Sequence, residues 1–359
     1  MNLVVLPGDG IGPEITDATL RVLDRVKEIL SLDLSVDVRR IGLESLRSDG
    51  TTITPSVLDA CRRADGVILG PVSTADYPAR DAGGINVSAE LRIQLDLSAN
   101  VRPSRTRGGL PHWGRTPMDL VIVRENTEGF YADRNMHRGM GEFMPTPDLA
   151  LSVRKISAVA SSRIARVAFE LAAARKQHVT AVHKANVLGV TEGLFLREVR
   201  AAAEGNPGIT YDEQLVDSMA ALLVRDAERF DVVVTTNMFG DILSDEAAEL
   251  AGSLGLAASI NAGDRHCMAQ AQHGSAPDIA GQNKANPTSL ILSAAMLVDW
   301  LGRVRQQPAL AAAARIIESA VDIALEQPAT RTADLGGHQG TSEFAAELCK
   351  VIDARSPKH

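Results

Sequence analysis

Short apolar runs at residues 3–6 (LVVL), 66–69 (GVIL), 120–123 (LVIV), 179–182 (VTAV) and 230–234 (FDVVV) alternate along the chain with longer amphipathic stretches. Runs this short, rich in β-branched residues and with little polar alternation, read as strands buried on both faces. Strands separated by helices imply an α/β fold around a mainly parallel sheet. The expected helices cover residues 14–30, 57–63, 157–175 and 192–203, and the pattern is helical again from Asn286 onward. Between these elements, the Gly/Pro/Arg-rich stretch 104–118 reads as a long loop. Residues 133–155 read as an irregular arm that pairs with another subunit.

With 359 residues, 45% of them hydrophobic, the chain can bury a large core, divided between two lobes. A net charge of −8 and an aromatic content of 3% argue against nucleic acid as a partner, since that binding wants a basic face and stacking platforms. The three cysteines, Cys61, Cys267 and Cys349, form no CxxC pair, so neither a disulfide framework nor a zinc site is indicated. The opening LVVLPGDG has no basic or apolar leader character, and no run reaches the roughly 20 apolar residues of a membrane span. A cytoplasmic protein with no membrane association is expected.

The densest chemistry lies in Asn237 to Asp245, NMFGDILSD, directly after the 230–234 strand. Asp241 and Asp245 are four residues apart, which on a helix puts both carboxylates on one face, one turn apart. Like charges held that close call for a cation, and hard oxygen ligands suit magnesium or manganese (Mg2+ or Mn2+) better than zinc. The plainer reading is an acidic helix start favoured by the helix dipole.

Other strings have similarly divided readings. The turn Pro7 to Glu14, PGDGIGPE, is Gly-rich but lacks GxGxxG spacing, so a tight structural turn explains it better than a Rossmann fingerprint. Arg92, Arg102 and Arg124 lie near element ends and together suit a clamp for a multi-carboxylate ligand, because guanidinium pairs with carboxylate in a bidentate fork. Tyr131 closes the NTEGFY turn, with a half-buried aromatic as its plain reading. Lys184, at a strand end in HKANV, suits proton transfer, whereas the neighbouring His183 reads as structural. The loop His273-Gly274-Ser275-Ala276-Pro277-Asp278, with Asn286 soon after, reads as a backbone-lined binding loop in which Asp278 accepts both hydroxyls of a ribose.

Taken together, LPGDGIGPE, LDLSANVRP, VRENTEGFY, HKANV, VDSMA, NMFGDILSDEAAELAGSLG, HGSAPDIAG and KANPTSLILSAAML resemble the β-decarboxylating dehydrogenases of the isocitrate/isopropylmalate dehydrogenase family. That family includes homoisocitrate, tartrate and D-malate dehydrogenases. The resemblance runs along nearly the whole chain. It implies a two-lobed, non-Rossmann α/β fold, with residues 1–97 plus 252–359 forming a large cofactor-binding lobe. Residues 98–251 would form a small lobe carrying the dimer interface and the metal-site aspartates. It further implies a homodimer with shared active sites, in which the lysine and the first aspartate reach in from the partner subunit.

Residue by residue, the resemblance assigns Arg92, Arg102 and Arg124 to the substrate clamp and Tyr131 to the general acid. Lys184 falls to the proton relay, and Asp217, Asp241 and Asp245 to the metal site. His273, Gly274, Ser275, Ala276, Asp278 and Asn286 fall in the cofactor loop, and Asp278-Ile279, in place of the Lys-Tyr of NADP-using members, implies NAD. One departure stands upstream, where Gln270-Ala271-Gln272-His273 replaces a common Glu-Pro-Val-His. The residues just before Arg92, Ile85-Asn86-Val87-Ser88, hold the place where the family reads the C3 substituent of its 2-hydroxy acid. Asn86 and Ser88 are the polar types of isocitrate enzymes in swapped order, and they favour an isocitrate-like substrate over isopropylmalate. The alternative substrates the resemblance implies are 3-isopropylmalate, homoisocitrate, tartrate and D-malate. From other classes, a non-catalytic regulatory subunit would keep the fold while losing chemical groups, but every clamp, acid, lysine and aspartate position is filled here. A metal-dependent phosphate-ester hydrolase would have no use for the HGSAPD loop.

Overall fold

The computed structural model describes residues 1–131, 136 and 139–355. The chain divides into two compact units, the first comprising Met1–Leu97, Arg107–Pro111 and Gly252–His359, and the second Ser98–Thr106 and His112–Ala251. Elements are numbered along the chain.

In the first unit the strands are β1 (Asn2–Leu6), β2 (Ser35–Val38), β3 (Gly66–Leu69), β11 (Ile260–Ala262) and β12 (Cys267–Gln270), in the order β2-β1-β3-β12-β11. All pair in parallel except β11 with β12. The helices are α1 (Gly12–Leu30), α2 (Gly42–Asp49), α3 (Pro55–Arg63), α4 (Val87–Gln94), α9 (Thr288–Val304), α10 (Pro308–Glu326) and α11 (Thr341–Arg355). Val4, Leu6, Val67, Leu69 and Met268 pack against Val57, Cys61, Leu91 and Leu95, so one face of the sheet is covered by α3 and α4. The turn before α1 carries Gly10 at φ 59°, where a Cβ would sit 2.0 Å from the Ser275 carbonyl oxygen. Glycine therefore lets the 7–14 turn close onto the 273–278 loop, where the Ile11 N–H donates to Ser275 O at 2.8 Å. Asp9 ties the turn down, accepting from Leu43 N, Ser73 N and Tyr77 Oη. The structural reading of PGDGIGPE is the one these bonds describe.

The second unit holds β4 (Ala99–Arg105), β5 (Asp119–Glu125), β8 (His178–His183), β9 (Thr210–Leu215) and β10 (Val232–Thr235), in the order β4-β5-β10-β8-β9. Here β4 and β5 are antiparallel and the remainder parallel. The helices are α5 (Ala158–Ala173), α6 (Thr191–Glu204), α7 (Val216–Arg225) and α8 (Asn237–Ala251). Leu120, Ile122 and Val233 pack against Met219, Leu223, Leu243 and Ala247, which seats α7 and α8 on one face. Within the 133–155 segment, β6 (Glu142–Thr146) and β7 (Leu149–Ser152) form a hairpin whose residues are all exposed. Phe143, Met144, Leu149 and Leu151 are among the apolar side chains it leaves uncovered. Residues 132–135 and 137–138 of that segment lie outside the described residues. Among the described residues no helix is long and apolar enough to cross a membrane.

Candidate active site

Helix α8 begins at Asn237, so Asp241 and Asp245 lie one and two turns into it, and its first turn holds no acid. The helix-dipole explanation of the acidic pair therefore does not apply, since that effect fades beyond the first turn. What the two carboxylates face is basic. Arg102 on β4 lies across from Ile122 of β5, and Arg124 across from Asn100 of β4. Arg124 also sits beside Thr235, whose chain runs straight on into α8. Gly240 permits the close approach, because a Cβ there would come within 2.7 Å of the Arg124 side chain.

A dense network results. Arg124, 3% exposed, donates from Nε and Nη2 to Asn237 Oδ1 at 2.9 and 2.7 Å and from Nη2 to Tyr131 Oη at 2.6 Å, and it pairs through Nη1 with Asp241 Oδ1. The Tyr131 hydroxyl donates in turn to Asp241 Oδ2 at 3.1 Å. Arg102 Nη1 lies 3.2 Å from both Asp241 Oδ1 and Asp245 Oδ1 and donates to Ser244 Oγ at 2.7 Å. Burial, then the charge of Arg124, lowers the Arg102 pKa to about 10, against the opposing pull of Asp241 and Asp245. Two carboxylates that share one guanidinium nitrogen converge on a single point of positive charge. Both remain about half exposed, at 40% and 50%, and offer hard oxygen donors of the kind Mg2+ or Mn2+ takes. The donor set fits a divalent cation.

Lys184 and Asp217 form a second pair. Lys184 follows the last residue of β8, Asp217 is the second residue of α7, and Nζ lies 2.5 Å from Oδ1. That hydrogen bond holds the Asp217 carboxyl below the ordinary carboxylate range. Among the described residues no group of three acidic, His or Cys side chains is arranged around a metal position within the chain. Asp217 is thus joined to Lys184, while Asp241 and Asp245 are joined to the arginines.

In the first unit, Ser88 and Arg92 stand one turn apart on α4, and both donate to Gln270 Oε1, at 3.1 and 3.4 Å. Asn261 donates to the same oxygen at 3.4 Å. Gln270, the departure from the common family sequence, is therefore the hub of this cluster. Asn86 caps α4, its Oδ1 accepting from Ala89 N at 3.0 Å, so that oxygen already has a structural task. In the loop that follows, His273 Nδ1 is 2.9 Å from Gly274 O. Its Nε2 is buried with no hydrogen-bond partner among the described residues, and burial lowers the imidazole pKa. Ser275 Oγ meets Ser73 Oγ at 2.7 Å, Ala276 adopts φ 36°, and Asp278 is exposed. Asn286 donates to Asp334 and accepts from the backbone N–H of Thr288, the first residue of α9.

Asn237, Asn100 and Ser244 complete the network without any charge to mark them in the sequence. Their side-chain oxygens accept from the two buried guanidiniums, which need such acceptors to be buried at all. All three sit inside the strings already singled out, one residue type less conspicuous than their charged neighbours.

Two buried arginines thus meet paired aspartates and a tyrosine on a mixed α/β scaffold. The isocitrate/isopropylmalate dehydrogenase family model matches residues 2–348, and the chain belongs to that family. It is 40% identical to the 3-isopropylmalate dehydrogenase of Archaeoglobus fulgidus over 98% of this chain and 99% of that one. It is 41% identical to the isocitrate/homoisocitrate dehydrogenase of Thermus thermophilus over 98% of both. A crystal structure of isocitrate dehydrogenase from Methylococcus capsulatus superposes with a TM-score of 0.86 at 38% identity, covering 98% of this chain and 99% of that one. The protein is a decarboxylating dehydrogenase with the fold of these relatives.

Proposed function

We propose that the chain catalyses NAD- and divalent-metal-dependent oxidative decarboxylation of a 3-substituted malate, as a homodimer, with an isocitrate-like acid as the favoured substrate. The observation that carries this reading is the network of Arg102, Arg124, Tyr131, Asp241 and Asp245 in one unit. When bound, a divalent cation would be held by Asp241 and Asp245, with Asp217, and would supply positive charge beside the hydroxy acid, while NAD would supply the hydride acceptor. Arg92, Arg102 and Arg124 bind the substrate carboxylates and fix its C2–C3 bond for reaction. Lys184, in its neutral amine form, would take the hydroxyl proton as C2 is oxidised, directly or through water and an aspartate, Asp217 being its partner at 2.5 Å. Tyr131 then delivers a proton to C3 after CO₂ leaves, and Arg124, bonded to its hydroxyl, keeps that group aimed.

Relatives named for isopropylmalate and for isocitrate or homoisocitrate are similarly close, so the substituent reading rests on α4. Ser88 and Arg92 both turn toward a neutral amide oxygen at Gln270, a polar lining that suits a carboxylated C3 group better than an isopropyl group. The dimer reading draws support from the exposed apolar hairpin β6–β7, which a second copy would cover. It also explains why Lys184 and Asp217 pair with each other, since both would serve the partner's site.

NAD preference is tested by a double substitution. Asp278→Lys with Ile279→Tyr replaces an exposed carboxylate, which repels a 2′-phosphate, by a cation and a phenol that receive one. The expected result is a rise of NADP over NAD in kcat/KM by on the order of 10²-fold, the worth of two charge-assisted contacts. Unchanged discrimination would place the ribose site elsewhere. The reaction itself is tested by reduction of NAD with 3-substituted malates and Mn2+, and fails if neither NAD nor NADP is reduced with any of them.

A further inference from the structure

Glu192, the second residue of α6, is wholly buried, and a carboxylate in that position needs a reason. Its Oε2 accepts the backbone N–H of Lys184 at 2.9 Å. Its Oε1 lies against Arg154 Nη2 as an ion pair off the hydrogen-bonding angle. The Arg154 side chain, 7% exposed, donates from Nη2 to Thr236 Oγ1 at 2.8 Å and from Nη1 to Thr191 Oγ1 at 3.3 Å. Its guanidinium also lies 5.6 and 5.3 Å from the ring centroids of Phe130 and Phe239. These neighbours are telling. Phe130 precedes Tyr131, Thr236 precedes the Asn237 that anchors Arg124, and Phe239 stands two residues before Asp241.

We infer that the Arg154–Glu192 pair is a positioning device. It fixes the Lys184 main chain at one end and the Tyr131 turn and the start of α8 at the other. This rests on the reading of Lys184 and Tyr131 as proton-handling groups. Glu192 bonds the Lys184 main chain directly, whereas Arg154 reaches the clamp only through Thr236 and the start of α8, so loss of the pair should displace the proton-transfer groups more than the clamp. Stability alone does not require an ion pair here, because apolar residues of similar volume usually replace such a pair without loss.

The test compares Glu192→Gln with the double variant Arg154→Met plus Glu192→Leu in the full-length protein, the single variant serving where the double one fails to fold. The double variant is expected to lose little melting temperature, because the partly exposed Lys184 residue can rehydrate, and to change its KM for the hydroxy acid far less than its kcat. Its kcat should fall by about ten- to a hundredfold, the scale of a small misplacement transmitted to the reacting groups. The solvent deuterium isotope effect on kcat should rise as proton transfer slows. Hydrogen exchange at the Lys184 amide should accelerate in the absence of any substrate. That readout stands even if wild-type protein oxidises none of the acids, an outcome that would overturn the proposed reaction and leave the tether intact. Native kcat together with native protection of the Lys184 amide would overturn the inference. So would parallel losses of melting temperature, KM and kcat with the amide still protected, which would make the pair purely structural.

Discussion

Lys184→Met is expected to lower kcat by on the order of 10²- to 10⁴-fold, the usual worth of a positioned acid–base group, while the melting temperature stays where it is. The two halves of that result have separate causes. Lys184 has its ammonium 2.5 Å from Asp217, and the Asp217 side chain is 63% exposed, so the ion pair contributes little to folding. Methionine keeps the length of the stem and loses only the proton-carrying group. With the clamp arginines untouched, KM should move far less than kcat. Stopped-flow and steady-state reduction of NAD, with melting followed by circular dichroism, measure all three quantities. A kcat within a factor of two of wild type would remove Lys184 from the chemistry.

Arg124→Met should behave differently, costing both activity and stability. The guanidinium is 3% exposed and joins Asn237, Tyr131 and Asp241. Its removal strands the Asn237 amide oxygen, which is buried, and leaves Asp241 with Arg102 and the Tyr131 hydroxyl. Breaking a fully buried pair destabilises by about 3–5 kcal/mol. Because the Asp241 side chain is 40% exposed and rehydrates, about 1–3 kcal/mol is the better expectation. The kcat/KM should fall on the order of 10³-fold or more, since a substrate contact and the support of Tyr131 go together. Unlike Lys184→Met, this variant should raise KM as well as lower kcat. If KM is unchanged, Arg124 holds the tyrosine and not the substrate.

How much of this was legible before any coordinates follows from which residues carry the signal. The strand at 66–69 and the helices at 57–63 and 192–203 were readable because burial on both faces, or on one helical stripe, writes a strong pattern into the side chains. β4 was not, because Pro103 and the polar residues of ANVRPSR argue against a strand, and its antiparallel pairing with β5 is decided by tertiary packing. β9 escaped for a related reason. Its TYDEQL sequence lies at the end of the strand order and has only Tyr211 and Leu215 as apolar residues, among charged and amide neighbours. The loop read at 104–118 begins only after β4 ends at Arg105.

For the site, charge was the visible part. Arg102, Arg124, Asp241 and Asp245 announce themselves, and the structure brings all four together with Tyr131. The neutral acceptors that make buried arginines tolerable, Asn100, Asn237 and Ser244, have no signature of their own. The same holds for the Lys184 tether. A wholly buried glutamate in TEGLFLREV looks in sequence like one more acidic residue at a helix start, and only its bond to the Lys184 amide distinguishes it. Gln270 shows the opposite case. Sequence marked it as unusual, while the reason it matters, its position as acceptor for Ser88 and Arg92, is a matter of tertiary contact.

The most direct measurement is the kcat/KM of the purified protein for isocitrate, homoisocitrate, 3-isopropylmalate, tartrate and D-malate, with NAD and with NADP, in Mn2+ and again in excess chelator. NAD reduction with release of CO₂ is expected, highest for isocitrate or homoisocitrate and lower for 3-isopropylmalate. The difference should be about tenfold or more, the scale at which a pocket with polar groups rejects an apolar substituent. Activity should vanish with the chelator and return with Mn2+. A preference for 3-isopropylmalate would contradict the reading of Ser88, Arg92 and Gln270. Metal-independent turnover, or no turnover with any of these acids and either nucleotide, would contradict the account of Asp241 and Asp245 at its centre.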